Sequence, residues 1–392
     1  MNKILVAVCC VFLASCASTL DRSPVPLALL SKVQVDGLSD IRFWGDSAPE
    51  NLNSLVRTKT SQIRKNRPEL LQKRRPVLYL LTISGGGSDG AFGSGLLNGW
   101  TASGKRPEFE VVTGVSTGAL SAPFAFLGPK YDAQLKEMFT KYSTDDLVKK
   151  KVLAGILGGE ALASNAPLFG VISKYVDKAF LTQIAAEHER GRRLYVGTTN
   201  LDAERPVTWD MGRIAASGHP QSLDLFRKIL LASAAIPGAF PPVRIQVTAN
   251  GKTYDELHVD GGTSNQVFLF PTQTRLSVVD KKLGIALKRQ LYIIRNSKLT
   301  PEWKPVEPKL AKISKRSISS LIKTQGIGDL IRLYGYSKQN RINYNLASVP
   351  SSFDKQSKEA FDTAYMRALY NVGYSMAAKG YPWSKSPPGF RF

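Results

Sequence analysis

Gly114-Val115-Ser116-Thr117-Gly118 reads G-x-S-x-G directly after the apolar run 109–112. A strand, a small-residue turn and a helical run (119–126), in that order, are what a nucleophile elbow requires. A serine hydroxyl is a poor nucleophile unless it is held exposed on a tight turn beside a base. Such a turn is so cramped that Gly114 and Gly118 must be small. Upstream, the apolar run 78–83 leads into Ser84-Gly85-Gly86-Gly87-Ser88-Asp89-Gly90. The successive glycines Gly85, Gly86 and Gly87 leave backbone N–H groups bare at the start of a predicted helix. Donors there, aided by the helix dipole, suit an oxyanion.

Gly85, Gly87 and Gly90 also fit G-x-G-x-x-G, the phosphate loop of a dinucleotide site. That site needs a carboxylate closing the next strand. Glu110 instead opens the strand, and the Ser116 turn occupies its end. A third element is Glu256-Leu257-His258-Val259-Asp260-Gly261-Gly262. Alternation places Leu257 and Val259 on one face, with His258 and Asp260 on the other. Asp260 thus stands where a strand meets a loop, a usual place for a catalytic side chain. Taken alone, the same residues read first as a plain Asp-Gly turn.

The chain has only three histidines, His188, His219 and His258. A Ser-His-Asp hydrolase of the usual α/β order needs one after its acid, and none follows Asp260. His258 shares a strand face with Asp260 and stays a candidate. His188, in the charged run 187–193, is expected to be solvated, and His219 falls in a loop. No cluster has metal-ligand spacing.

Taken together, these segments resemble the patatin-like phospholipases, in which a glycine-rich oxyanion loop, a G-x-S-x-G serine and a D-G-[AG] aspartate follow in that order. The run 232–242, with Ser233-Ala234-Ala235-Ile236-Pro237, is similar to the family's segment ahead of the aspartate. The resemblance spans 77–271, and 291–392 resembles the C-terminal extension of bacterial members. It implies a three-layer α/β fold with a mostly parallel central sheet, a nucleophile elbow and a helical C-terminal extension. It also implies a dyad without cofactor. Ser116 would attack an ester carbonyl of a membrane lipid, and Asp260 would take its proton and later activate the deacylating water. Gly85, Gly86 and Gly87 would hold the oxyanion, while Gly90, Gly114, Gly118, Gly261 and Gly262 complete the motifs. A free aspartate, with a pKa of about 3.9, is a weak base unless burial raises it. The chain departs from the family at Asp89, where members often carry Arg or Lys. Two other readings remain: an envelope lipoprotein that binds lipid or lipopolysaccharide without turnover, and a Ser-His-Asp carboxylesterase using His258.

At the N-terminus, Lys3, the apolar run 4–12 and then Leu13-Ala14-Ser15-Cys16 form a secretory signal too short to span a membrane. The segment resembles a bacterial lipobox. Cleavage before Cys16 would allow its acylation, and Ala17 after it points towards outer-membrane sorting in the bacterial envelope. The alternative is an ordinary signal with a chance cysteine. Cys9 and Cys10 would leave with the signal, so the mature chain could form no disulfide.

Lys and Arg number 53 against 31 Asp and Glu, a net charge of +22. Such a balance calls for an anionic partner. No helix-turn-helix, RNP or zinc-finger signature supports nucleic acid, so an anionic membrane surface fits better. Arg57, Lys59, Arg64, Lys65, Arg67, Lys73, Arg74 and Arg75 crowd one stretch beside Glu69. They read as a membrane-facing patch or as a solvated linker.

These readings divide the chain into a signal (1–15), a basic tether (16–76), a catalytic domain (77–295) and a helical region (296–392). Alternating strands and helices from 77 imply a mostly parallel sheet with right-handed crossovers. The apolar, glycine-rich run 154–169 is expected to be a crossover loop, or else a cap. Helices are predicted over 309–323 and 354–379, each with an apolar stripe expected to face the core. A membrane-surface role is the alternative for the first.

Overall fold

The computed structural model describes residues 22–72, 76–150, 161, 163–271, 273–284 and 287–390. The predicted signal, Cys16, Lys73, Arg74, Arg75 and most of the run 151–162 lie outside the described residues. Nine strands form one sheet: β1 (Arg42–Trp44), β2 (Val77–Ile83), β3 (Val111–Val115), β4 (Arg193–Asn200), β5 (Arg205–Asp210), β6 (Val243–Ala249), β7 (Lys252–Asp260), β8 (Lys288–Lys298) and β9 (Ile342–Val349). The order is β1-β5-β4-β3-β2-β8-β9, with β7 joining β4 at its end and β6 pairing β7. The five strands β4, β3, β2, β8 and β9 run parallel, whereas β1, β5 and β7 pair antiparallel.

Helices cover both faces. They are α1 (Leu52–Asn66), α2 (Gly90–Ala102), α3 (Thr117–Leu127), α4 (Asp132–Thr140), α5 (Ala166–Tyr175), α6 (Lys178–Glu189), α7 (Met211–Ala216), α8 (Ser222–Ser233), α9 (Leu276–Leu283), α10 (Leu310–Gln339) and α11 (Thr363–Ala378). Strands buried on both faces read as continuous apolar runs rather than alternating ones. Accordingly β3 is buried at every position, and α3 is buried along its whole length.

The structure redraws several boundaries. The expected tether supplies the edge strand β1, paired with β5, and its helix α1 packs on the sheet, where Ile63, 1% exposed, clusters with Leu70 and with Leu78 of β2. The C-terminal region is helical but also supplies β9, and β8 runs past the expected boundary at 295. The last helix begins at Thr363 rather than 354, because the Asp362 carboxylate accepts from the Ala364 and Tyr365 N–H groups and caps it there. The helix expected over 309–323 continues to Gln339, and its stripe of Leu310, Ile313 and Leu321 faces solvent instead of the core. His188 is buried, not solvated: its Nδ1 lies 3.6 Å from Asp210, and burial pushes it down to about 4.

Candidate active site

The chain runs from β2 to β3 and β4 on one side, while β8 and β9 add on the other side of β2. In open α/β sheets the crevice beyond the strand ends at such a reversal is where ligands bind. The loop after β2 carries Gly85, Gly86 and Gly87, and the turn after β3 carries Ser116. The two turns touch: a Cβ on Gly85 would lie 3.0 Å from Ser116 Cβ.

Ser116 has φ 56° and ψ −126°, which L-residues rarely adopt and which costs about 1–3 kcal/mol. The flanking glycines make the turn feasible. A Cβ on Gly114 would lie 2.3 Å from the Gly118 carbonyl oxygen, and one on Gly118 would lie 2.2 Å from that of Ile83. The Ser116 N–H donates to Ser233 Oγ at 3.0 Å, and that hydroxyl donates to the Gly197 carbonyl at 2.6 Å. Ser233 ends α8, so the S-A-A-I-P run braces the strained turn from beneath. Sequence reasoning noted the run without giving Ser233 a role. Ser116 also stands at the N-terminal end of α3, where the helix field favours negative charge.

Asp260 ends β7, in register with Thr198 on β4. Its N–H is held by the Ala235 carbonyl at 2.9 Å, and its Oδ1 accepts from the Gly262 N–H at 2.7 Å. Burial pushes the carboxyl up to about 6 from its usual 3.8, while the Ser116 hydroxyl and the Gly262 N–H interact with it and pull it down. A carboxylate so raised is a better base near neutral pH. Asp260 thus both ends the strand and opens the Asp-Gly turn, its carboxylate beside Ser116. A Cβ on Gly261 would lie 2.4 Å from the Gly197 carbonyl oxygen, and one on Gly262 would lie 3.0 Å from Asp260 Oδ1.

The three loop glycines do not serve alike. The Gly85 N–H already donates to the Gln266 carbonyl at 3.3 Å. Among the described residues no hydrogen bond uses the Gly86 or Gly87 N–H. Gly86 is pinned by β8, since a Cβ there would fall 2.1 Å from the Asn296 carbonyl oxygen. Asn296 also clamps the loop base: its N–H donates to Ser84 Oγ and its Nδ2 to the Ser84 carbonyl, both at 2.9 Å. Gly90 opens α2 against the Phe139 and Thr117 side chains.

Asp89, the departure from the family, takes a hydrogen bond from the Tyr365 hydroxyl at 2.6 Å, and burial raises it to about 6. A buried cation still lies close behind the loop. Arg295, 3% exposed on β8, reaches Gln266 Oε1 at 3.4 Å and interacts with Asp89 and Asp329. Its sequence neighbourhood gave no signal of this placement.

His258 is fully buried with both ring nitrogens engaged, Nδ1 with Thr198 Oγ1 at 2.9 Å and Nε2 with Glu256 Oε2 at 3.0 Å. Trp209 packs edge-on against it, and burial holds its pKa below the usual value. Glu256 is also buried, yet Arg42 and His258 hold it down at about 2. The imidazole therefore belongs to a structural network under β1 and β5.

Ser116 opens onto an apolar cleft of about 660 Å³, partly open to solvent, whose walls include Leu120, Phe139, Leu168, Ile172, Phe240 and Met366. These come from α3, α4, α5, the loop after α8, and α11. A larger apolar cavity of about 1030 Å³ lies between α1 and the sheet, lined by Leu78, Val111 and Arg193 at the opening ends of β2, β3 and β4. It is at the opposite end of the sheet from Ser116. There Lys59 and Arg67 pair with Glu110 at 3.0 and 2.7 Å, and burial is outweighed so that Glu110 is held at about 2. Two cations of the basic stretch are thus spent inside the protein.

Comparison with known proteins follows the same lines. Residues 81–272 match the family described as Patatin-like phospholipase. No curated protein matches the chain. Similar solved structures include VipD from Legionella pneumophila, at 12% identity over 78% of this chain and 66% of that one, with a TM-score of 0.37. Full-length ExoU of Pseudomonas aeruginosa, solved with SpcU, is 12% identical over 78% and 52% of the respective chains, with a TM-score of 0.32. Human GIVD cytosolic phospholipase A2 is 12% identical over 72% and 51%, with a TM-score of 0.31. This chain spans 51–66% of their lengths, and likeness this low says nothing of activity. The match over 81–272 covers the glycine loop, the Ser116 elbow and Asp260, so the chain carries a patatin-like phospholipase domain, a domain of acyl-ester hydrolases.

Proposed function

We propose that this protein hydrolyses acyl esters of membrane lipids through a Ser116–Asp260 dyad. The observation that carries the reading is one arrangement. A serine held at positive φ interacts with a buried carboxylate raised to about 6, at the mouth of an apolar cleft. The cleft suits an acyl chain. Ser116 Oγ attacks the ester carbonyl as Asp260 takes its proton. The oxyanion meets the Gly86 and Gly87 N–H groups and the N-terminal end of α3. Asp260 then returns the proton to the leaving alcohol. In the second half it takes a proton from water, which attacks the acyl-serine, and it hands that proton to the departing Ser116 Oγ as the fatty acid is freed. The engaged Gly85 N–H leaves Gly86 and Gly87 as the donors of this scheme.

The test is lipid profiling of the purified protein incubated with a total bacterial lipid extract. The expected result is release of free fatty acid with a matching deacylated lipid, absent with Ser116→Ala. An unchanged lipid profile alongside clear lipid binding would favour the non-catalytic lipoprotein instead.

We further propose that Cys16 carries a lipid anchor holding the protein at the bacterial envelope, at the outer membrane. The support is the apolar run 4–12 followed by Leu13-Ala14-Ser15-Cys16. Acyl anchoring at one site with more than one chain is effectively stable, whereas a single chain binds marginally. Mass spectrometry of the mature N-terminus should find acylated Cys16, and Cys16→Ala should release the protein from the membrane fraction. An unmodified N-terminal Cys16 or Ala17 would refute the anchor.

A further inference from the structure

The first half of α10 contradicts the usual economy of a folded chain. Leu310 is 84% exposed, Leu321 70%, Ile318 57% and Ile313 48%, and no residue of α10 before Gly326 is buried. Trp303, on the segment leading into the helix, is 90% exposed. Contiguous exposed apolar surface of this kind marks an interaction site.

Its chemistry points to one partner. At roughly 100° per residue, Leu310, Ile313, Ile318, Leu321 and Ile322 fall within about half of the helix circumference. Lys312, Lys315, Arg316 and Lys323 fall in the other half, and no acidic residue lies between Glu307 and Asp329. The segment that leads into the helix lies along the basic side. Arg316 donates to the Glu302 carbonyl, and Lys323 to the Thr300 carbonyl at 2.6 Å. The apolar side is therefore turned outward, with Lys312 and Lys315 beside it and in no ion pair among the described residues.

The location is equally specific. The segment before α10 leaves β8 just after Asn296, which clamps the glycine loop. Glu302 and Lys298 share a surface hollow with Ser88 and Asp89 of that loop. The segment leading to the outward stripe thus starts at the end of the sheet that carries Ser116.

We propose that the segment 303–323 is an interfacial docking element that lays its apolar stripe and Trp303 into an anionic lipid bilayer, presenting the Ser116 cleft to the surface. The proposal deepens the lipid-hydrolase reading and rests on it for the purpose of docking, though not for the binding itself. An amphipathic helix with a basic polar side lies in the headgroup plane, its apolar face among the acyl chains and its lysines at anionic headgroups. Trp is favoured at that boundary because its ring is apolar and its N–H is polar. Charge argues against a second copy of this chain as occupant. Two such surfaces would bring lysines together with no acid to meet them.

The experiment measures Trp303 fluorescence on vesicles containing brominated phosphatidylglycerol, with the Trp303→Phe chain subtracting the other tryptophans. Vesicles of phosphatidylcholine alone, brominated to the same extent, are the uncharged control. Because the signal is local to position 303, an anchor at Cys16 does not mask it. The expected result is quenching on phosphatidylglycerol and little on phosphatidylcholine. The triple variant Leu310→Ser, Ile313→Ser, Leu321→Ser should lose the quenching. It should also lower hydrolysis of vesicle lipid roughly tenfold or more while leaving a soluble short-chain ester within about twofold, since it removes apolar area only from the interface. Exposed residues are changed, so folding is retained. Trp303 left unquenched on the brominated phosphatidylglycerol vesicles overturns the proposal. So does a native dimer that the triple variant converts to monomer. If quenching is seen but no ester is hydrolysed, docking stands and the catalytic reading fails.

Discussion

Ser116→Ala is expected to remove ester hydrolysis by about 10³-fold or more while leaving the fold intact. The size follows from the loss of the nucleophile in a site where serine and base act as a unit. The change deletes one hydroxyl from a turn held by other atoms: the Ser116 N–H still donates to Ser233 Oγ, and Gly114 and Gly118 still allow the close approach. Alanine keeps a Cβ and therefore keeps the cost of φ 56°. Ser116→Gly should be equally inactive yet more stable, because glycine adopts positive φ without that cost. A fluorophosphonate probe should label the native chain at Ser116 and neither variant. Equal labelling of native and Ser116→Ala protein would remove Ser116 as the nucleophile.

Asp260→Asn should lower the rate by roughly 10²–10⁴-fold, the usual worth of a positioned general base. The native rate should climb with pH, pass half its maximum near pH 6 and level off above, as the carboxyl raised to about 6 ionises. Stability should move the other way. The folded carboxyl titrates at about 6 and the unfolded one near 3.8, so the folded state holds the proton more tightly. Its contribution is complete below 3.8 and is lost as pH rises to about 6. The Asn variant has no such loss. It should be more stable than the native chain at pH 8, by up to about 3 kcal/mol, and converge with it near pH 4. His258→Gln is the control in the same measurements. Glutamine cannot span Thr198 and Glu256 as the imidazole does, so stability should fall by about 1–3 kcal/mol while the rate stays within about tenfold. If His258→Gln is as inactive as Ser116→Ala and Asp260→Asn keeps substantial activity, the dyad gives way to a histidine-dependent site.

The residues that make turns were legible because turn chemistry is local. A serine at positive φ needs small neighbours at fixed offsets, and three bare glycines before a helix leave donors exposed wherever they occur. Gly85–Gly87, Ser116 and Asp260 could therefore be picked out before any contact was known. Strand and helix periods gave the alternation that makes the central sheet parallel. None of this depends on what folds over what.

The tertiary structure decided everything that depends on partners far away in the chain. Asn296 and Ser84 are 212 residues apart, and only the side-by-side pairing of β8 and β2 brings them together to hold the glycine loop. The same holds for Ser233 beneath Ser116, separated by 117 residues. The expectation that His188 is solvated failed for a related reason: solvation is set by neighbours, not by composition. His188 sits in a charged run yet is buried on Asp210, and Lys59 and Arg67 of the basic stretch pair with Glu110. An apolar helical stripe has the same period whether it faces a core or a bilayer. In α10 the segment leading into the helix engages Arg316 and Lys323, and Leu310 and Leu321 are left exposed.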